Sequence, residues 1–182
     1  ARGLLPADAG YSCNAVSGYS GGGKELIARF ESDRSLAWRG YALTLAHKHV
    51  PEMQAHCGLT HRPLFVPAVV PAYRGMIVEV PLMRATDQRI APPDELLGAL
   101  RDHYAGSSIV AVGGLDVDGE MLMQVDMPAS DRMAIDLFAS ADGTQIRLVA
   151  RLDNLGKGAG GACVQNLNLM AGLPETAGLR LG

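Results

Sequence analysis

Several things are missing from this chain, and each absence narrows what it does. No apolar run approaches the roughly 18 residues that a membrane-crossing helix needs. Basic residues do not outnumber acidic ones: 16 Lys and Arg against 19 Asp and Glu leave a net charge of −3. That balance offers no cationic surface for a polyphosphate backbone, which argues against nucleic acid as a partner. Only three cysteines occur, Cys13, Cys57 and Cys163, odd in number and too widely spaced for a disulfide framework. Such usage fits a reduced, cytoplasmic setting. Repeats, low-complexity tracts and a signal peptide are absent as well. An initiator Met is also missing. Ala1-Arg2-Gly3-Leu4-Leu5-Pro6 reads as a helix end closed by proline, as expected of a piece of a longer polypeptide.

What is present is an ordinary globular composition, 48% apolar and 19% charged, at a length suited to one well-buried domain. Four of the 22 glycines fall in Ser17-Gly18-Tyr19-Ser20-Gly21-Gly22-Gly23-Lys24, between a strand-like run at 11–16 and a helix-like run at 24–31. Backbone N–H groups, a helix N-terminus and an ammonium group together suit an anion. Gly18-x4-Gly23-Lys24 nearly matches a Walker A loop. Glu25, however, stands where a hydroxyl should meet Mg²⁺, and the strands that follow read as hairpins rather than a parallel sheet. A small anion is therefore the expected ligand, with a plain glycine turn as the bland alternative.

Apolar periodicity predicts strands at 41–49, 64–70 and 76–82 and helices at 51–57 and 92–104. Pro51 opens the first helix and Gly58 closes it, and Asp94 and Glu95 stand in the first turn of the second. Pro81 suggests that its strand lies at an edge or carries a bulge. Two dipeptides, Asp118-Gly119 and Asp142-Gly143, predict type I′ hairpins joining 108–117 to 120–127 and 133–140 to 144–152. Gly156, Gly158, Gly160 and Gly161 lead into a last helix with Val164, Leu167, Asn168 and Ala171 at helical spacing, ended by Pro174. The order predicts an α+β fold, a mainly antiparallel sheet with helices packed on it.

The second candidate site is His47-Lys48-His49-Val50-Pro51-Glu52. A period of two places both imidazoles on one strand face, with a carboxylate at the next helix start. One histidine then passes a proton while Glu52 orients it or balances its charge. A metal reading would add His56, Cys57 or His61, but no recognised ligand spacing is completed, and no metal is expected. Two plain surface histidines are the bland reading. Asp116-Val117-Asp118-Gly119-Glu120 has its glycine at the fourth position, where a calcium-binding EF-hand needs it at the sixth, so it reads as a turn.

Taken together, these residues resemble the N-acetyl-gamma-glutamyl-phosphate reductase family, in its shorter bacterial type. The resemblance rests on Asn14-Ala15-Val16-Ser17-Gly18-Tyr19-Ser20-Gly21-Gly22-Gly23-Lys24 and on His47-Lys48-His49-Val50-Pro51-Glu52-Met53. It continues in Arg74-Gly75-Met76 before Val78-Glu79-Val80-Pro81-Leu82. The last block is Leu152-Asp153-Asn154-Leu155-Gly156-Lys157-Gly158-Ala159-Gly160-Gly161-Ala162, running into Val164-Gln165-Asn166-Leu167-Asn168.

The resemblance implies an NADP-dependent enzyme of arginine biosynthesis that reduces N-acetyl-glutamyl 5-phosphate to the semialdehyde and releases phosphate. A cysteine thiolate attacks the acyl phosphate, and hydride reduces the resulting thioester. It further implies a domain like the C-terminal one of glyceraldehyde-3-phosphate dehydrogenase, forming homo-oligomers. His47, His49 and Glu52 would be catalytic. Ser17, Gly18, Ser20, Lys24 and Arg74 would bind substrate, and Asn154, Lys157, Gly158 and Gln165 would line the nicotinamide.

Two family features are absent, the strand–G-x-G-x-x-G–helix unit and the Pro-Gly-Cys-Tyr-Pro-type segment that carries the nucleophile. The expected division is therefore a tail of a missing nucleotide domain at 1–10, a substrate-binding and dimerisation domain at 11–152, and a returning C-terminal helix at 153–182. The 182 residues alone are expected to be inactive. Rival readings are aspartate-semialdehyde dehydrogenase, a related lysine-pathway reductase, a non-catalytic dimerisation module and, more distantly, a metal-dependent hydrolase.

Overall fold

The computed structural model describes residues 3–113 and 120–182. Strand β1 (Ser12–Gly18) passes through a tight 3₁₀ turn (Tyr19–Gly22) into helix α1 (Gly23–Ser32). A two-residue strand β2 (Arg39–Gly40) and helix α2 (Val50–Cys57) follow, then β3 (Leu64–Val70) and β4 (Met76–Met83). Helix α3 (Pro93–His103) precedes β5 (Val110–Val112), β6 (Met133–Ala139) and β7 (Gln145–Leu152). A π turn (Gly156–Gly160) then opens helix α4 (Gly161–Met170).

Among the described residues, seven strands join one sheet, in the order β2-β3-β1-β4-β7-β6-β5. The sheet is mixed, which corrects the expectation of a mainly antiparallel one: β1–β3 and β5–β6 run parallel, the other pairs antiparallel. Between β1 and β3 lie α1, β2 and α2, a crossover long enough to bring the chain back in the same direction. Pro81 sits in an interior strand, but the β1 register ends at the Asn14–Glu79 pair, so only β7 flanks it.

The β6–β7 hairpin forms around Asp142-Gly143 with a different turn from the one expected. Gly143 alone takes a left-handed backbone (φ 66°), which makes the loop a type I turn followed by a left-handed glycine, and not type I′. The carboxylate of Asp142 fixes it by accepting bonds from the Ser140 and Thr144 hydroxyls and the Thr144 N–H. The other expected turn, Asp118-Gly119, lies outside the described residues, as does most of the calcium-like segment. Residues 120–127 form no strand, and residues 3–10 form no helix.

Strand alternation assigns the core. Val80, Leu82, Leu137, Ile146 and Leu148 meet Leu96 and Leu97 of α3, with Leu4 and Leu5 added from the start of the chain. On the same sheet face, Cys13, Ala15, Phe65, Met76 and Val78 meet Val50 and Met53 of α2. Tyr19, Phe30 and Val69 form a third cluster with Leu26, Ile27, Leu36 and Tyr41. Leu64, Val66 and Met83 point to the opposite face and are nearly half exposed.

Candidate functional site

The glycine segment after β1, Arg74 before β4 and Asp153–Asn154 after β7 meet at one end of the sheet, because β4 and β7 are antiparallel to β1 and to each other, respectively. The N–H groups of Gly18, Tyr19 and Ser20 donate to the carbonyls of Gly75, Ala72 and Tyr73. A Cβ at Gly18 would lie 2.8 Å from the carbonyl oxygens of Ala72 and Tyr73, which is why glycine stands there. Ser20 is buried, and its Oγ accepts from Asn154 Nδ2 at 3.0 Å. Gly18 and Ser20 thus serve the packing of the loop itself. Half-buried Ser17 donates from its Oγ to the Gly18 carbonyl at 3.1 Å. Lys24 lies exposed in the first turn of α1, beside the N–H groups that a helix start leaves unpaired.

Asp153 organises the opposite side of this corner. Its Oδ2 accepts from Arg74 Nη1 at 2.8 Å and from the Ser130 N–H at 3.2 Å, and its Oδ1 accepts from the Leu155 N–H at 2.9 Å. Burial pulls this carboxyl toward its neutral form, but those donors outweigh burial and hold it below its ordinary range. Arg74 therefore has a buried anion as its resident partner. Asn154 accepts from the Gly75 N–H at 2.9 Å while donating to Ser20, so both ends of its amide face inward.

Of the other residues expected at the nicotinamide, Lys157 Nζ donates to Gln165 Oε1, and Gln165 Nε2 donates to Glu175 Oε1 at 2.6 Å. Gly158 is exposed, its N–H bonded to the Asp153 carbonyl at 2.9 Å. Gly158 thus packs beside Asn154, where an added Cβ would lie 3.8 Å from the Asn154 Cβ, while Lys157 and Gln165 bond to each other across the π turn and α4. Of the four residues given helical spacing here, Asn168 turns inward, while Val164 and Leu167 are exposed.

The histidine segment is not the strand that its alternation predicted. Residues 41–49 form turns, with Ala42 (φ 54°) and Leu45 (φ 59°) in left-handed backbone that breaks an extended run. Both histidines nevertheless come together, with ring centroids 4.8 Å apart. His47 also lies 5.6 Å from the Tyr41 ring and 5.0 Å from the Phe65 ring. Its Nδ1 accepts the His49 N–H at 3.2 Å, which assigns the neutral ring's own proton to Nε2. Burial, then the nearby His49 and Lys48 charges, push His47 below its usual value, with Glu52 opposing weakly. His49 is exposed and caps α2, its carbonyl accepting the Met53 N–H at 2.8 Å. Glu52 stands exposed in the first turn and makes no hydrogen bond or ion pair with either ring. Tyr41 joins the two candidate regions, because it packs on the Tyr19–Phe30–Val69 cluster beneath the glycine segment and edges onto His47.

Residues 1–154 match the family model described as semialdehyde dehydrogenase, dimerisation domain. The chain belongs to that family. Curated relatives named N-acetyl-gamma-glutamyl-phosphate reductase, from Brucella ovis and Brucella canis, are 48% identical over 93% of this chain and 57% of their own length. The chain thus spans a little over half the length of those relatives. Among solved structures, a probable aspartate-semialdehyde dehydrogenase from Pseudomonas aeruginosa aligns with a TM-score of 0.63 at 18% identity, covering 93% of this chain and 58% of that one. Aspartate semialdehyde dehydrogenase II from Vibrio cholerae aligns at 0.60 and 18%, covering 88% and 54%. At such identity these neighbours share the fold.

Two residues of this dimerisation domain escaped the sequence reading. Asp153 had a signal, an acid placed directly where the alternation of β7 stops. Tyr41 had none, since its role depends on a turn that its alternating neighbours disguise. Among the described residues, no group of three or more His, Cys, Asp and Glu side chains is placed to hold a metal ion, and no helix is long and apolar enough to cross a membrane.

Proposed function

We propose that this chain is the substrate-binding and dimer-forming part of an NADPH-dependent reductase that converts N-acetyl-glutamyl 5-phosphate to the semialdehyde. The observation that carries the reading is 48% identity, across nearly all of the chain, to proteins named for that reaction. Local geometry supports it. His47 is held by three rings, kept neutral near pH 7, and carries its proton on Nε2. A neutral imidazole of this kind donates to an oxygen that gains charge when a carbonyl is attacked, and recovers the proton afterwards. His49, exposed and unpacked apart from that ring contact, modulates His47, and Glu52 acts on it through charge alone. Lys24 and the start of α1 hold the substrate's anionic group, while Arg74, already paired with Asp153, acts by placing the loop at 72–75.

Asn154, Lys157, Gly158 and Gln165 do not make a dinucleotide site by themselves. Asn154 faces inward, and Lys157 and Gln165 bond to each other. NADPH, held mainly by residues outside this chain, supplies the hydride. In a reductase containing these residues, Lys24→Ala raises the KM for the acyl phosphate roughly tenfold and leaves that for NADPH near its starting value. Equal effects on both, or none on the acyl phosphate, would sink the anion-holding role.

The dimer contact in this reading is the sheet face away from α2 and α3. There Leu64, Val66 and Met83 are exposed beside the Glu79–Arg147 and Asp136–Arg151 ion pairs. A second copy seated on this face would bury the apolar residues and bring like patches together about a two-fold axis. Val66→Glu should shift the chain to monomer in sedimentation. An unchanged mass would place the contact elsewhere.

A further inference from the structure

Cys13 and Cys57 belong to none of the chemistry above. Val50, Met53 and Cys57 are spaced i, i+3 and i+7, so they share one face of α2. The first two pack into the cluster that also holds Cys13, Ala15 and Phe65. The helix face that carries Cys57 is therefore the one laid on the sheet over Cys13.

Direction agrees with facing. Val50 shares a buried cluster with Ala15 of β1, and the chain beyond α2 returns to the strand's beginning. After Cys57 it turns at Gly58 (φ 64°), bonds from the Thr60 N–H to the Ala7 carbonyl, and enters β3 with the Leu64 N–H on the Tyr11 carbonyl. Those anchors flank the start of β1, where Cys13 stands. An independent sign of proximity is electrostatic: the Cys13 thiol is pushed above its ordinary value by burial first and by the Cys57 charge second.

We propose that Cys13 and Cys57 form a two-thiol site that a hydroperoxide converts to an intramolecular disulfide, fastening the C-terminal end of α2 to β1. Cys57 is exposed and Cys13 half-buried, which sets the order of events. Cys57 sulfur attacks the peroxide O–O bond, becomes a sulfenic acid and releases hydroxide. Cys13 sulfur then displaces the sulfenic oxygen as water, its own proton completing the balance. With hydrogen peroxide, two thiols are oxidised to one disulfide while the peroxide is reduced to two waters. Because α2 is capped by His49 and carries Glu52, the cross-link fixes the helix that frames the histidine pair, and a dithiol reductant releases it.

The reduced 182-residue chain is treated with equimolar hydrogen peroxide, its free thiols are counted, and its peptides are mapped without reduction. The expected result is loss of two of the three thiols together, one cross-linked peptide pair through Cys13 and Cys57, and recovery with dithiothreitol. Cys163, exposed on α4, serves as the control and keeps its thiol. In Cys57→Ser, Cys13 also stays reduced, and in Cys13→Ser, Cys57 rests as a sulfenic acid that dimedone captures. Oxidation of Cys57 to the sulfinic acid with Cys13 still free in the unmodified chain would overturn the proposal. So would a disulfide made through Cys163.

Discussion

The corner around Asp153 and the segment carrying His47 are built on opposite terms. At the corner, Asp153 and Asn154 are 3% and 8% exposed, and every hydrogen-bonding end described above has a partner. Backbone crowds in close: a Cβ at Gly156 would fall 1.9 Å from the Ser130 carbonyl oxygen, and one at Gly161 would meet Asp131 Oδ1 at 2.2 Å. The histidine segment instead leaves Trp38, Leu43 and Leu45 at 62%, 82% and 62% exposure, and puts two non-glycine residues in left-handed backbone. The difference is one between a frame and what the frame presents. Buried, satisfied polar groups fix where β1, β4 and β7 end, and the groups suited to chemistry stand on thinner support.

The largest expected effect tests the frame. Asp153→Ala removes the acceptor for Arg74, Ser130 and Leu155 together, leaving buried donors unmatched. Urea unfolding should show a loss of about 2–3 kcal/mol, below the full cost of breaking a buried pair because Arg74 keeps some contact with water. His49→Ala and Lys24→Ala, both exposed, should each stay within about 0.5 kcal/mol of the starting stability. The comparison breaks if those loop substitutions cost as much as the one at Asp153.

The same contrast governs how much could be read from sequence. Strands β3, β4, β6 and β7 form where the apolar runs placed them, and α2 and α3 follow their proline starts, because each lays apolar side chains on a buried cluster. The parallel pairing of β1 with β3 was not legible, since pairing partners depend on how a crossover packs and leave no local pattern. Residues 41–49 misled for a physical reason. Turns there are set by contacts of Tyr41 and His47 with Tyr19, Phe30 and Phe65 from distant parts of the chain, not by neighbours in sequence. At the site, the glycine pattern points to ligand donors, while the close approach of Gly18 to the Ala72 and Tyr73 carbonyls depends on a distant loop that leaves no local pattern. Nor does sequence show that Asn154 ties Gly75 to Ser20, since both partners are distant in the chain.

A smaller effect sharpens the frame further along the chain. Arg180 clasps Asp131 with two side-chain bonds of 3.0 Å and its own backbone N–H at 2.8 Å. That guanidinium holds Asp131 below its ordinary 3.8, and Asp153 is likewise depressed. A carboxylate with a depressed folded-state value adds stability that is present above its unfolded value and lost as pH falls through the folded one. These two carboxylates therefore add no slope to the unfolding free energy between neutral pH and about pH 5, and their contribution declines below about pH 4. Arg180→Ala should lower the plateau and soften the acid decline. A variant as acid-sensitive as the parent would show that Arg180 does not set the Asp131 value.

The smallest effect belongs to His47 and probes the presented side. Its depressed value means that the unfolded chain takes up this proton before the folded one does. The contribution to stability is thus complete above the usual 6.5 and is lost as pH falls below it. Because Nδ1 already accepts the His49 N–H, protonation there also costs that bond. Ring-proton NMR should give His47 a midpoint below 6.5, and His47→Gln should remove the slight stability slope between about pH 5 and 6.5. Phe65→Leu keeps the volume nearly filled but takes one ring from beside His47 and opens it to water, so its midpoint should rise toward the usual value with little change in overall stability. A midpoint above 6.5 in the parent chain would mean that Glu52 outweighs burial. The segment would then be a charged surface loop, not a neutral imidazole held ready for a proton.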